Sequence, residues 1–322
     1  MYKVIMAPTE GSESEGTALG VAVKLAQRFE AHLHLVRVEP APLEVEAVVR
    51  PRLLEFTERA LQEERIARLR KLEALGVQRR SLGDIRVITA LEDGPVGPTL
   101  RDCARKLGVD LIVMSSRSRG GLKRVALGSV TDYLIRHTNI PVLVVKQPAS
   151  FVANRFDETI ARIVVPLDGS EVAEQILPSV ASLALRLRAS VSLLHVLTPV
   201  TYSQHQIMQP GLPWWDADIA AADSYLARAA SYLGEEGLAV SRDVMLSDNV
   251  STAILDYAAR AKADLIAITT SGGGGMRRFV FGTVADEITR KSPASLLVFH
   301  PRLEAAAVVK SLETKARVLA DA

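Results

Sequence analysis

Only one cysteine, Cys103, stands in 322 residues, so no internal disulfide can form, and this scarcity fits a reducing compartment. No apolar run approaches the roughly 20 residues of a membrane span. The opening stretch MYKVIMAPTEGS has neither the basic nor the apolar region of a secretory signal, so the chain is expected in the cytoplasm and off the membrane. An excess of either charge is missing too: 39 basic against 37 acidic residues give +2, too near neutral for a nucleic-acid coat to be read from net charge. Neither a G-x-G-x-x-G run nor a phosphate-loop lysine pattern occurs, which argues against dinucleotide oxidoreductases and ordinary nucleoside triphosphatases. What remains, 48% hydrophobic and 24% charged, suffices for two cores of ordinary size.

What is present is a repeat. Asp110–Ser129 reads DLIVMSSRSRGGLKRVALGS and Asp264–Thr283 reads DLIAITTSGGGGMRRFVFGT, 154 residues apart (110 to 264, 128 to 282). An apolar run ending in small residues is a buried strand, and glycines after it let backbone N–H groups converge on an anion. A second match runs at an offset of 158: Pro8, Glu10, Gly11 and Ser12 against Pro166, Asp168, Gly169 and Ser170, and Ala31–Val38 against Ala189–Val196. The intervening region is shorter in the second copy and most divergent over 198–222, where Trp214 and Trp215 stand side by side.

Around these anchors strands and helices alternate. In the first copy Lys3–Ala7, His32–Val38, Asp84–Ala90, Leu111–Met114 and Pro141–Val145 read as strands. Helices are expected over Glu13–Phe29, from near Pro51 to Gly76, and over Pro98–Leu107 and Ser129–His137. In the second copy the later strands are Ala189–Val196, Leu238–Leu246, Leu265–Thr269 and Ala294–His300, with helices at Ser224–Leu233, Thr252–Ala261 and Val284–Arg290. The expected class is α/β: two tandem doubly wound domains, each a five-stranded parallel sheet in order 3-2-1-4-5 with helices on both faces. Their expected extents are 1–147 and 159–302, with a polar linker over 148–158 and an alanine-rich helical tail over 303–322.

The pattern P-x-[DE]-G-S after the first strand, with a glycine loop, nine residues and G-[ST] after the fourth, resembles the universal stress protein family in a tandem form, over almost all of residues 2–300. Nucleotide-binding members of that family carry G-x-x-G, nine residues, then G-[ST]. The frame falls on Thr269, Gly272, Gly282 and Thr283 in the second copy, departing at the first glycine. In the first copy it falls on Ser115, Ser118, Gly128 and Ser129, without either leading glycine. The resemblance implies an ATP-class nucleotide, with or without Mg2+. In the second copy it would be held by Pro166, Asp168, Val196, Ile268, Thr269, Ser271, Gly272, Gly282, Thr283 and Val284. The matching set in the first copy, Pro8, Glu10, Val38, Met114, Ser115, Ser118, Gly128, Ser129 and Val130, is degenerate. A pseudo-dimer through Pro141–Val145 and Ser295–Phe299 and a stress-response or regulatory role are implied as well, with no nucleic-acid partner and with further self-assembly left open.

Physical chemistry supports such a site independently. In an open parallel sheet a ligand sits outside the carboxyl ends of the strands, where strand order reverses. There Asp168 can accept from ribose hydroxyls, Gly272 lets the chain approach phosphate oxygens, and Gly282-Thr283 offers N–H groups at a helix start, while Arg277 and Arg278 add charge. Glu10 is one methylene longer than Asp168. Plainer readings stand beside these: the glycine run as a surface loop, Lys123-Arg124 as a solvated helix face, and the tryptophan pair as packing rather than a lid over a base. His32 and His34 share a strand face but lack a carboxylate or cysteine cluster, and they read as surface or strand-end histidines rather than metal ligands. Cys103 reads as a buried filler. No nucleophile–base pair or metal-binding carboxylate pair accompanies the loop, so a dedicated catalyst is not expected. The alternatives to a nucleotide binder are a nucleotide-free interaction scaffold and a weak ATPase.

Overall fold

Near-continuous apolar runs become the buried inner strands, such as Leu111–Ser115 and Leu265–Thr269, and helices cover both faces of the sheet they form. A computed structural model describes residues 2–10, 16–39, 85–116, 127–146, 160–198, 214–270 and 282–301, with the single helical positions 66, 67, 70 and 74. The first half runs β1 (Val4–Pro8), α1 (Gly16–Phe29), β2 (His32–Glu39), β3 (Val87–Asp93), α2 (Val96–Lys106), β4 (Leu111–Ser115), α3 (Ser129–His137) and β5 (Val142–Val145). The second half runs β6 (Arg162–Pro166), α4 (Glu171–Glu174), α5 (Leu177–Leu187), β7 (Ser190–Leu197), α6 (Trp214–Glu235), β8 (Val240–Leu246), α7 (Val250–Arg260), β9 (Leu265–Thr269), α8 (Thr283–Lys291) and β10 (Ser295–Phe299). Of the sequence expectations, the linker over 148–158 and the tail over 303–322 lie outside the described residues.

The strands form one ten-stranded sheet in the order β3-β2-β1-β4-β5-β10-β9-β6-β7-β8. Each half therefore has the 3-2-1-4-5 order of a doubly wound fold, and the sheet is parallel within each half. The halves meet where β5 and β10 pair antiparallel, with Val144 opposite Leu296 and Leu143 opposite Leu297. One aspartate per repeat ties together the amino ends of its first and fourth strands. Asp110 accepts the backbone N–H groups of Lys3 and Val4 at 2.7 and 3.0 Å. Asp264 does the same for Ala161 and Arg162, both at 2.9 Å.

Two cores cover the two faces, and both run through both halves. One gathers Ile5, Leu25, Leu33, Val113, Val165, Leu183, Leu193 and Leu226 beneath α1, α5 and α6. The other gathers Met6, Ile112, Leu134, Val164, Ile254, Ile266 and Ile288 beneath α2, α3, α7 and α8. Burying each such side chain contributes about 1.5–3 kcal/mol before the entropy of ordering it. Cys103 is buried on α2. His34, expected at a surface or strand end, is instead buried: its alternation with Leu33 and Leu35 points it into the second core, where loss of hydration pulls its pKa down. The helix expected at Ser224–Leu233 begins ten residues earlier, at Trp214. The stretch 199–213 before it lies outside the described residues, as do the side chains of the tryptophan pair.

Candidate functional site

β6 and β9 are parallel neighbours from which the chain departs in opposite directions, so their carboxyl ends open a crevice. A cavity of about 340 Å³ occupies it. Eight residues singled out from the sequence line it: Pro166 and Asp168 after β6, Val196 on β7, Ile268 and Thr269 on β9, and Gly282, Thr283 and Val284 at the start of α8. Ser271, Gly272, Arg277 and Arg278 lie outside the described residues, as do Ser118, Lys123 and Arg124 in the first half.

The polar groups sit at the rim. Asp168 is exposed, on a turn in which Gly169 has φ +88°, a conformation that suits glycine. Its carboxylate accepts the Ser170 N–H and hydroxyl at 3.0 and 2.6 Å, while Ser170 Oγ caps α4 by accepting the Ala173 N–H at 3.1 Å. The turn is thereby fixed with the carboxylate outward. On the other side, α8 presents its first N–H groups and the exposed Thr283, a partial positive charge suited to an anion.

The walls are apolar, and this part the sequence reading missed. Leu194, Val250, Ile254, Ala285 and Ile288 line the cavity beside Val196 and Ile268. The signal was there: Leu194 and Val196 alternate on one strand face, and the pairs 250/254 and 284/288 are spaced one helical turn apart.

Thr270 closes the base of the loop between β9 and α8. It is fully buried; its N–H donates to the Phe299 carbonyl at 2.9 Å, and its carbonyl accepts the Gly282 N–H at 2.7 Å. Its hydroxyl bonds His300 Nδ1 at 2.6 Å. Burial, then the nearby His137, hold the His300 pKa down, so that ring stays neutral to lower pH than a free histidine. Behind the Asp168 turn, His195 packs edge-on to Tyr225 with ring centroids 5.9 Å apart. Burial lowers its pKa against the opposing pull of Asp168 and the Leu167 carbonyl.

In the first half Pro8, Glu10, Val38, Met114, Ser115, Gly128, Ser129 and Val130 occupy the matching strand ends and helix start. Its surroundings differ. Where the second half has His195, Arg37 donates to the Glu10 carbonyl at 2.9 Å and pairs with Glu39 at 2.7 Å. Ala285 is matched by Thr131, a buried residue whose hydroxyl reaches the Ser115 carbonyl at 3.4 Å. Among the described residues Gly128 makes no counterpart of the Gly282–Thr270 bond.

The universal stress protein family model matches this chain twice, over residues 1–146 and 159–300. A universal stress protein of Methanocaldococcus jannaschii is 30% identical over 148 residues, 46% of this chain and 84% of its own length. One from Mycobacterium tuberculosis is 25% identical over 230 residues, 70% of this chain and 72% of its own. In fold, a universal stress protein from Archaeoglobus fulgidus superposes with a TM-score of 0.60 at 19% identity, over 92% of this chain and 98% of that one. A functionally unknown protein from Pseudomonas aeruginosa does so with the same score at 18% identity, over 98% of both. With one family model fitting each half and each half repeating the same sheet, the chain belongs to the universal stress protein family, in its tandem form.

Proposed function

We propose that the second repeat binds an ATP-class adenine nucleotide, and that the chain acts through this binding in a stress-response or regulatory role. The observation that carries the reading is the cavity itself: apolar walls, a fixed outward carboxylate on one rim and a helix N-terminus on the other. About 340 Å³ lies near the lower end of ligand pockets and suits a nucleoside, with the phosphates extending toward the loop over 271–281. In this assignment Val250, Ile254, Val196 and Ile268 flank the base, Asp168 accepts from the ribose hydroxyls, and the N–H groups of Gly282 and Thr283 meet phosphate oxygens. Ser271, Gly272 and the two arginines of the loop would complete the cradle. Binding rather than turnover is the expected activity, because Asp168, the acidic residue on the rim among the described residues, is assigned to the ribose and is already engaged by Ser170. The antiparallel pairing of β5 with β10 supports a pseudo-dimer of the two repeats, in which the second keeps more of the family's nucleotide frame than the first.

The test is to denature freshly purified protein, identify any released nucleotide by mass spectrometry, and titrate the emptied protein with ATP, ADP and AMP by calorimetry. Release of an adenine nucleotide and binding at micromolar concentration are expected. No released nucleotide and no heat at millimolar ATP would leave the fold as an interaction scaffold, and steady phosphate release would make it an ATPase.

A further inference from the structure

The helix that carries the site, α8, is held by the first repeat as well as by its own. In its first turn Asp286 accepts from Arg136 Nη2 of α3 at 3.1 Å, in addition to Arg290 Nε of its own helix at 2.8 Å. Near its end, Thr289 lies in the last turn, whose carbonyls lack partners within the helix, and position 293, four residues on, is a proline with no N–H to offer. Lys146, the residue after β5, supplies the donor across the seam: its Nζ reaches that carbonyl at 3.2 Å. The lysine is buried and its own N–H is tied to Ser295 Oγ at 3.2 Å, so it acts as a fixed strut rather than a surface tether. Losing hydration there drops its pKa to about 8, a cost that the contact with α8 offsets. His300, which stands 154 residues after Lys146 (146 to 300), bonds Thr270 at the base of the loop. Both members of this related pair therefore make a side-chain hydrogen bond to the second repeat, at Thr289 and at Thr270.

The placement matters because Val284, Ala285 and Ile288 face the cavity and Gly282 and Thr283 form its anion end, so a small shift of α8 moves wall and anchor together. We infer that Arg136 and Lys146 are positioning residues for the site of the second repeat, which makes the first repeat a scaffold in cis for that site. This rests on the reading above that the cavity takes an adenine nucleotide.

The test uses the full chain carrying Lys146→Met or Arg136→Gln, with two readouts: ATP affinity by calorimetry, and amide hydrogen exchange over residues 282–286 without nucleotide, with α5 as internal control. Each substitution is expected to weaken ATP binding three- to tenfold and to speed exchange in the first turn of α8 several-fold, while α5 is unchanged. A merely structural loss would speed both helices alike. Affinity within twofold of the parent together with unchanged exchange at 282–286 would overturn the inference. If the parent chain itself binds no adenine nucleotide, the functional reading fails while exchange still decides whether the struts hold α8. If Lys146→Met does not fold, the half-exposed Arg136→Gln carries the same two readouts.

Discussion

Gly282 owes its place to space rather than to backbone freedom. Its φ of −62° is open to any residue, but a Cβ there would stand 3.3 Å from the Thr270 carbonyl oxygen, the acceptor of its own N–H. Gly282→Val should therefore push the start of α8 off the loop base and weaken ATP binding about tenfold, or ~1.4 kcal/mol, as read by calorimetry. Positions with true left-handed backbone lie elsewhere. Lys262 has φ +50° after α7, and its counterpart after α2 is Gly108, at φ +62° with open space around it. A side chain in that conformation costs about 1–2 kcal/mol, partly offset because glycine loosens the unfolded chain. Lys262→Gly is expected to gain about 0.5–1 kcal/mol by urea denaturation, and Gly108→Lys to lose a comparable amount.

At the scale of elements, what could be read in the sequence was what repeats locally. The apolar runs at 111–115 and 265–269 gave the strands, and the Pro-x-Asp-Gly-Ser turn and Gly-Thr helix start gave the cavity rim, because each is fixed by neighbours in the chain. What could not be read depends on residues far apart. Nothing local to Asp264 says that it holds the start of β6, since its partners lie more than a hundred residues away. Likewise Lys146 is a bland residue after a strand until the seam brings Thr289 to it. The early start of α6 was missed because a divergent, proline-rich stretch hid its first turns. The aspartate can be tested directly. Asp264→Ala strips the acceptor from two backbone N–H groups at the start of β6 and should cost about 1–2 kcal/mol in urea denaturation. Asp264→Asn, which keeps one neutral acceptor, should cost less.

For the whole molecule, burial of histidines makes stability depend on pH with a definite sign. His34, His195 and His300 all have lowered pKa values, each chiefly through loss of hydration. Below pH ~6.5, where free histidine titrates, the unfolded chain binds more protons than the folded one, so stability falls as pH drops through that window and on toward the folded values. The urea midpoint should be lower at pH 5.5 than at pH 7.5, and His34→Leu should narrow the gap. The remaining question is how many ligands two similar halves can take. In the first half Arg37 holds the Glu10 carbonyl and Thr131 stands at the position matching Ala285. The bond that closes the loop base onto the helix start in the second half, Gly282 N–H to Thr270, is not made by Gly128 among the described residues. Space, carboxylate and anchor thus differ together, and one tight ATP site per chain is expected in calorimetry. Asp168→Ala should abolish its heat and Glu10→Ala should leave it unchanged. Two sites of equal affinity, or equal losses from the two substitutions, would mean that Arg37 organises a working site by a route of its own, with the guanidinium standing in for the missing loop glycines.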